Sequence, residues 1–203
     1  MKMKIVLSLF LILFGASAAS AELRILARAS DAGNPMFGDK ENQVFINIGQ
    51  GFNTTWMIEP PVNPVPFNMF QFQYSQPTAI FRLPARISAN FIQTLGYGTR
   101  YEHQYRGEWH WDDFSNQIGI ISADVLLAWT DKWYFGTGLG TGVQATANNR
   151  VGTLFLIGLK MFVGYEIAED WRAELFMQHF SNGGTDYRNS SYNFWGLGIG
   201  YNF

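Results

Sequence analysis

In the last stretch of the chain Asn193, Trp195, Leu197, Ile199, Tyr201 and Phe203 alternate with Phe194, Gly196, Gly198, Gly200 and Asn202. Residues two apart on a strand share a face. This segment therefore has one large, mainly apolar face and one glycine-rich face. The same period recurs upstream, at about 44–52, 69–81, 86–97, 117–129, 133–144, 152–166, 171–181 and 192–203,. Most of these eight segments exceed the roughly 9–11 residues a tilted strand needs to cross a bilayer. The links between them alternate in length. Residues 53–68, 98–116, 145–151 and 182–191 are long links, whereas 82–85, 130–132 and 167–170 are short. Short turns at one end and long loops at the other mark a transmembrane barrel. A soluble β-sandwich, the main competitor, has no reason to sort its loops this way. The predicted fold is all-β, an eight-stranded antiparallel transmembrane β-barrel. The proline-rich run EPPVNPVP at 59–66 is placed in a long loop, because proline lacks the donor a central strand needs.

The N-terminus changes the domain picture. Lys2 and Lys4 precede an apolar run over Ile5–Phe14, and Ala19-Ser20-Ala21 forms a small-residue cleavage site. Residues 1–21 read as a secretory signal peptide, and 22–203 as a single barrel domain. Residues 22–43 precede the first strand and are expected to pad the periplasmic mouth. The formal net charge is only −2, and losing the two leader lysines makes it more acidic, so nothing basic asks for nucleic acid. Cysteine is absent, aromatics reach 17% and charged residues only 15%. A disulfide-free exported chain needs another source of stability, and a closed sheet in lipid supplies one.

Candidate chemistry sits in LFMQHFSN, residues 175–182. Trp171, Ala173, Leu175, Met177, His179 and Ser181 share one face. Arg172, Glu174, Phe176, Gln178 and Phe180 share the other,. The charges mark the second face as the lumen, so His179 and Ser181 extend the lipid-facing stripe at its outer end. A histidine in reach of a serine can take its proton and make a nucleophile. A third group must hold the imidazole in one tautomer. Asn193 begins the outward face of the returning strand, is expected roughly opposite Ser181, and fits that role through its amide oxygen. SNGG, directly after the strand, offers backbone N–H groups for an oxyanion, with Asn182 and Gly184 as the candidates.

HFSNGGTDYRNSSYNFWGLGIGYNF, residues 179–203, resembles the C-terminal hairpin of the PagL family of outer-membrane lipid A 3-O-deacylases. The resemblance implies an eight-stranded barrel in the bacterial outer membrane that hydrolyses the ester-linked acyl chain at the 3 position of lipid A. It implies a Ser-His-Glu triad on the lipid-facing surface, with no cofactor and no metal. His179 and Ser181 fall at the base and nucleophile positions. Asn182, Gly184 and Asn189 fall at positions associated with the oxyanion site and its loop. Asn193 stands where the family pattern has glutamate. Lipopolysaccharide would be the substrate, outer-membrane lipids the surroundings, and a homodimer is one assembly this reading allows. The substrate's acyl chain would run over Leu175, Met177 and Trp195.

Other polar groups carry weaker readings. His103, His110, Glu102, Glu108, Asp112 and Asp113 cluster in sequence, but their spacing matches no metal motif. Arg100 and Arg106 could meet lipid A phosphates. Asp186 would have to fold back to replace Asn193, and Glu174 faces the lumen. The competing functional class is a non-enzymatic barrel serving adhesion, envelope integrity or lipid binding.

Overall fold

The computed structural model describes residues 23–28, 34–52, 63–102, 108–148, 150–189 and 191–203. The expected signal peptide lies outside them. Ten strands form: β1 (Arg24–Ile25), β2 (Gln43–Gly51), β3 (Asn63–Ile80), β4 (Leu83–Glu102), β5 (Glu108–Asp113), β6 (Asn116–Trp129), β7 (Trp133–Gln144), β8 (Phe155–Ala168), β9 (Trp171–Ser181) and β10 (Tyr192–Asn202). All pairings are antiparallel. The eight strands β2, β3, β4, β6, β7, β8, β9 and β10 pair in turn, and β10 closes on β2. β1 adds two pairs to β6. β5 pairs with the outer part of β4 and runs on into β6, so β5 and β6 are one broken strand.

The predicted eight strands are all present, but two connections differ from expectation. β3 begins at Asn63, inside the proline-rich run, and β4 continues to Glu102 inside the third long link. The ladder between β3 and β2 stops at Asn68, and among the described residues only β4 pairs with residues 63–67, which leaves room there for prolines. Pro77 sits beyond the other limit of the β2 pairing, at Ser75. A residue without an N–H fits where no neighbour waits for one. The short turns all lie with the C-terminus: Asn202 N–H donates to Asp170 O, and Phe203 pairs with Asn42. The tight β3–β4 turn uses Phe81 and Arg82 at φ 51° and 70°, the handedness that matches strand twist in a two-residue hairpin.

Strand parity divides the side chains. Ile46, Ile48, Phe70, Phe72, Phe91, Ile121, Leu139, Leu159, Met161, Leu175, Leu197 and Ile199 are all exposed. So continuous an apolar belt is what a barrel shows to lipid. Polar groups fill the lumen. Arg86 donates to both oxygens of Glu174 at 2.6 and 3.0 Å and to Asp124 Oδ2 at 2.8 Å. Lys160 and Tyr134 donate to the same Glu174 carboxylate at 3.2 and 3.1 Å. Room for this comes from glycine: a Cβ on Gly164 would lie 1.9 Å from the Tyr134 ring, and one on Gly138 1.9 Å from Asp124 Oδ1.

The N-terminal segment closes the periplasmic mouth. A turn over residues 34–38 buries Met36 and Phe37. Gln43 and Asn202 donate to Met36 O, each at 2.9 Å, and Asn202 also to Phe37 O at 3.1 Å.

Glu174→Ala is expected to lower unfolding free energy by about 3–5 kcal/mol, because Arg86 and Lys160 lose their shared carboxylate inside the barrel. Denaturant unfolding in lipid vesicles measures it. A loss under about 1 kcal/mol would show that the ion network does not hold the lumen together.

Candidate functional site

The β9–β10 hairpin positions the candidate residues. Along β9 the burial alternates: Phe176, Gln178 and Phe180 are buried, while Leu175 and Met177 are exposed and His179 and Ser181 half-buried. The imidazole and the hydroxyl therefore continue the outward face, at the end away from the short turns. On their β8 side Leu159 lies beside His179, and Ile157 beside Ser181. On the other side Asn193 stands directly across from His179. The expectation put Asn193 opposite Ser181. The difference is two residues of register, which keeps Asn193 on the same face, because ladder pairing begins at Tyr192 with Phe180,.

Facing residues on an antiparallel pair have Cβ atoms about 4.5–5.5 Å apart, a span one side-chain hydrogen bond can bridge. His179 Nδ1 lies 2.7 Å from Asn193 Oδ1. An amide oxygen only accepts, so Nδ1 carries the proton and Nε2 presents its lone pair. Asn193 Nδ2 donates to Ser191 Oγ at 2.9 Å. No hydrogen bond joins Ser181 Oγ to His179 in this resting geometry.

Asn182 organises the loop that follows. Its side chain is fully buried. Its Nδ2 donates to Asp186 O and Arg188 O, both at 3.2 Å, and its Oδ1 accepts from Gly184 N–H at 2.9 Å. Its own N–H donates to Asn189 Oδ1 at 3.1 Å. The N–H groups of Asn182 and Gly184 are thus both engaged inside the loop. Gly183 N–H, between them, has no partner among the described residues. Gly183 and Gly184 have φ of 65° and 83°, in the region that favours glycine. The loop is docked on residues 150–153 by a bridge between Val151 and Asn189 and by Gly152 N–H donating to Arg188 O.

Neither alternative acid approaches His179. Glu174 is held by Arg86 and Lys160 in the lumen. Asp186 accepts from Arg188 N–H and Nε at 2.8 and 3.2 Å, and the Arg188 bonds hold its carboxyl below the usual range. Two residues near the site escaped sequence reasoning. Ser191 reads as one more serine in NSSYN, and Arg150 as a loop charge. Only their contacts give them a role. His103 and Arg106 lie outside the described residues, and Arg100 pairs with His110 in the β4–β5 ladder.

A family model described as Lipid A 3-O-deacylase (PagL) matches residues 81–202. No curated protein matches the chain. Among solved structures, the outer membrane protein Ail of Yersinia pestis in a phospholipid bilayer nanodisc is 12% identical, with a TM-score of 0.46. That alignment covers 81% of this chain and 100% of Ail. The outer membrane enzyme PagL is also 12% identical, with a TM-score of 0.45 and 79% and 99% of the two chains covered.

Asn182→Ala removes three side-chain hydrogen bonds from the loop. At about 1 kcal/mol or more each, the loop is expected to open at least ~10-fold more often. Limited proteolysis between residues 183 and 188 should accelerate accordingly, with the barrel strands still resistant. Unchanged cleavage would mean that the loop is held by other contacts.

Proposed function

The chain belongs to the PagL family of lipid A 3-O-deacylases, and from that premise we propose that it acts as a serine esterase, with Ser181 as nucleophile, His179 as base and Asn193 as the group that holds the imidazole. The observation that carries this reading is the 2.7 Å contact between His179 Nδ1 and Asn193 Oδ1 on the lipid-facing side of the barrel. It leaves Nε2 to take a proton, with a hydroxyl two residues along the same face.

Alternate residues on one strand lie about 7 Å apart at Cα. Rotation of the Ser181 and His179 side chains closes the remaining gap, and hydrogen bonds of this kind often tighten only when substrate is bound. Ser181 Oγ then attacks the ester carbonyl as His179 Nε2 takes its proton. The tetrahedral intermediate collapses, His179 returns the proton to the leaving sugar oxygen, and the acyl group stays on Ser181. Water, deprotonated by His179, releases it as a 3-hydroxy fatty acid. Gly183 N–H, without a partner among the described residues, is the donor we assign to the oxyanion. Asn182, Gly184 and Asn189 set its position through the bonds they make to one another.

The acyl chain needs no deep pocket. Leu175, Met177 and Trp195 are exposed toward the membrane just below His179, and Trp195 faces Met177 across the ladder. A chain already in the outer leaflet meets this wall sideways.

Expression in a lipopolysaccharide-producing host, with lipid A read by mass spectrometry, tests the reading. The wild-type chain is expected to remove one 3-hydroxyacyl chain, and Ser181→Ala to leave lipid A intact. Intact lipid A with the wild-type chain would favour the non-enzymatic barrel. Asn193→Ala should slow the reaction by about 10–100-fold, part of what a correctly held base supplies. Asn193→Glu should keep or raise the rate, since a carboxylate stabilises imidazolium better than an amide does. Equal rates for all three would remove Asn193 from the mechanism.

A further inference from the structure

We propose that the outer wall of β4 and β6 holds one acyl chain of lipopolysaccharide, in an apolar groove headed by the Gln93 amide. The groove is separate from the His179–Ser181 face, because β4 stands diametrically across the ring of eight strands from β9. It rests on the outer-membrane setting and not on the assignment of Ser181 as nucleophile.

The ladder lays out the walls. β4 runs outward from Leu83, and its lipid-facing residues pair in turn with those of β6: Gln93 with Gln117, Phe91 with Gly119, and Ala89 with Ile121. Phe72 of β3 lies beside Phe91, and Thr141 of β7 beside Ile121. Phe72, Phe91 and Ile121 are large and exposed, whereas Ala89 and Gly119 between them are small. The result is a groove of about 340 Å³ on the membrane side, lined by Phe72, Ala89, Phe91, Gly119, Ile121 and Thr141. The space over Gly119 is open, since a Cβ there would meet nothing within 4 Å. From Gln93 the groove descends into the apolar belt, where the neighbouring molecules are lipid chains.

The group at its head decides which chain fits. Gln93 Nε2 donates to Thr94 O at 2.9 Å and to Asn116 O at 3.1 Å. Both partners are backbone carbonyls, which only accept, so the orientation of this amide is fixed. Gln93 Oε1 is left without a partner among the described residues. An accepting oxygen at the edge of hydrocarbon is costly unless a donor meets it. A glycerophospholipid chain begins at an ester, which only accepts. Chains of lipopolysaccharide carry a 3-hydroxyl, and some are joined through an amide N–H. Either group is a donor at the depth of the acyl linkage. Such a chain meets Gln93 with its first carbons and the Phe91–Gly119 and Ala89–Ile121 pairs with its tail.

Site-directed photocrosslinking tests this in the full-length protein. A p-benzoylphenylalanine is placed at Thr141, on the edge of the groove, or at Ile46, an exposed position on β2 outside it. The vesicles hold equal amounts of lipid A and phosphatidylethanolamine, and mass spectrometry identifies the adducts. Intact and deacylated lipid A are counted together. The ratio of lipid A to phosphatidylethanolamine adducts is expected to be about 5-fold higher at Thr141 than at Ile46, the effect of one hydrogen bond. Gln93→Leu should bring the Thr141 ratio down to the Ile46 value. Gly119→Leu keeps the amide and fills the groove, and should do the same. Equal ratios at the two positions in the otherwise wild-type chain would make the groove an ordinary lipid contact and overturn the proposal. A Thr141 ratio unchanged by Gln93→Leu would overturn it as well. The fraction of lipid A deacylated in the same samples reports on the esterase reading separately, so either can fail while the other stands.

Discussion

In hydrocarbon, a backbone N–H or C=O without a partner costs several kcal/mol. Closure of the β10–β2 ladder is what allows this chain to stand in a membrane, because it leaves the eight strands without an open edge. Once the ladder closes, each strand has one side to lipid and one to the lumen, and register decides every side chain's solvent. The charges Arg86, Asp124, Lys160 and Glu174 are gathered inside and paired. The aliphatic and aromatic positions are turned out.

The same constraint shapes the chemistry at the rim. His179, Ser181 and Asn193 can all be neutral. Placing them on the lipid-facing side carries a smaller desolvation cost than a carboxylate at the same position would. The ladder sets Asn193 directly across from His179, so an amide and not a carboxylate meets the imidazole there. Residues 150–153 and 182–191 are bound to each other by backbone and side-chain hydrogen bonds, with Asn182 at the centre of one and Arg150 beneath the other.

The two ends of the barrel are closed by different means. At the periplasmic end, Met36 and Phe37 are held by the amides of Gln43 and Asn202. At the outer end a cation among aromatic rings fills the mouth. With Glu174 drawing three donors together between them, the interior is a packed polar core, and the candidate residues His179 and Ser181 lie on the outside wall.

Period-two alternation in the sequence was enough to determine the eight strands, the lipid-facing side of His179 and Ser181, and the inward direction of Glu174. It was enough because side-chain direction along a strand follows from residue number alone. The extension of β3 through Pro64 was not legible, since whether a proline is tolerated depends on the absence of a neighbour, which is a property of the assembled sheet. The pairing of Asn193 with His179 rather than with Ser181, the engagement of the Asn182 and Gly184 N–H groups within their own loop, and the hydrogen bond from Arg150 to Ser191 O were likewise decided only in three dimensions. Each depends on where a turn leaves the ladder and which distant loop meets it. Such contacts join residues whose separation along the chain carries no periodic signal.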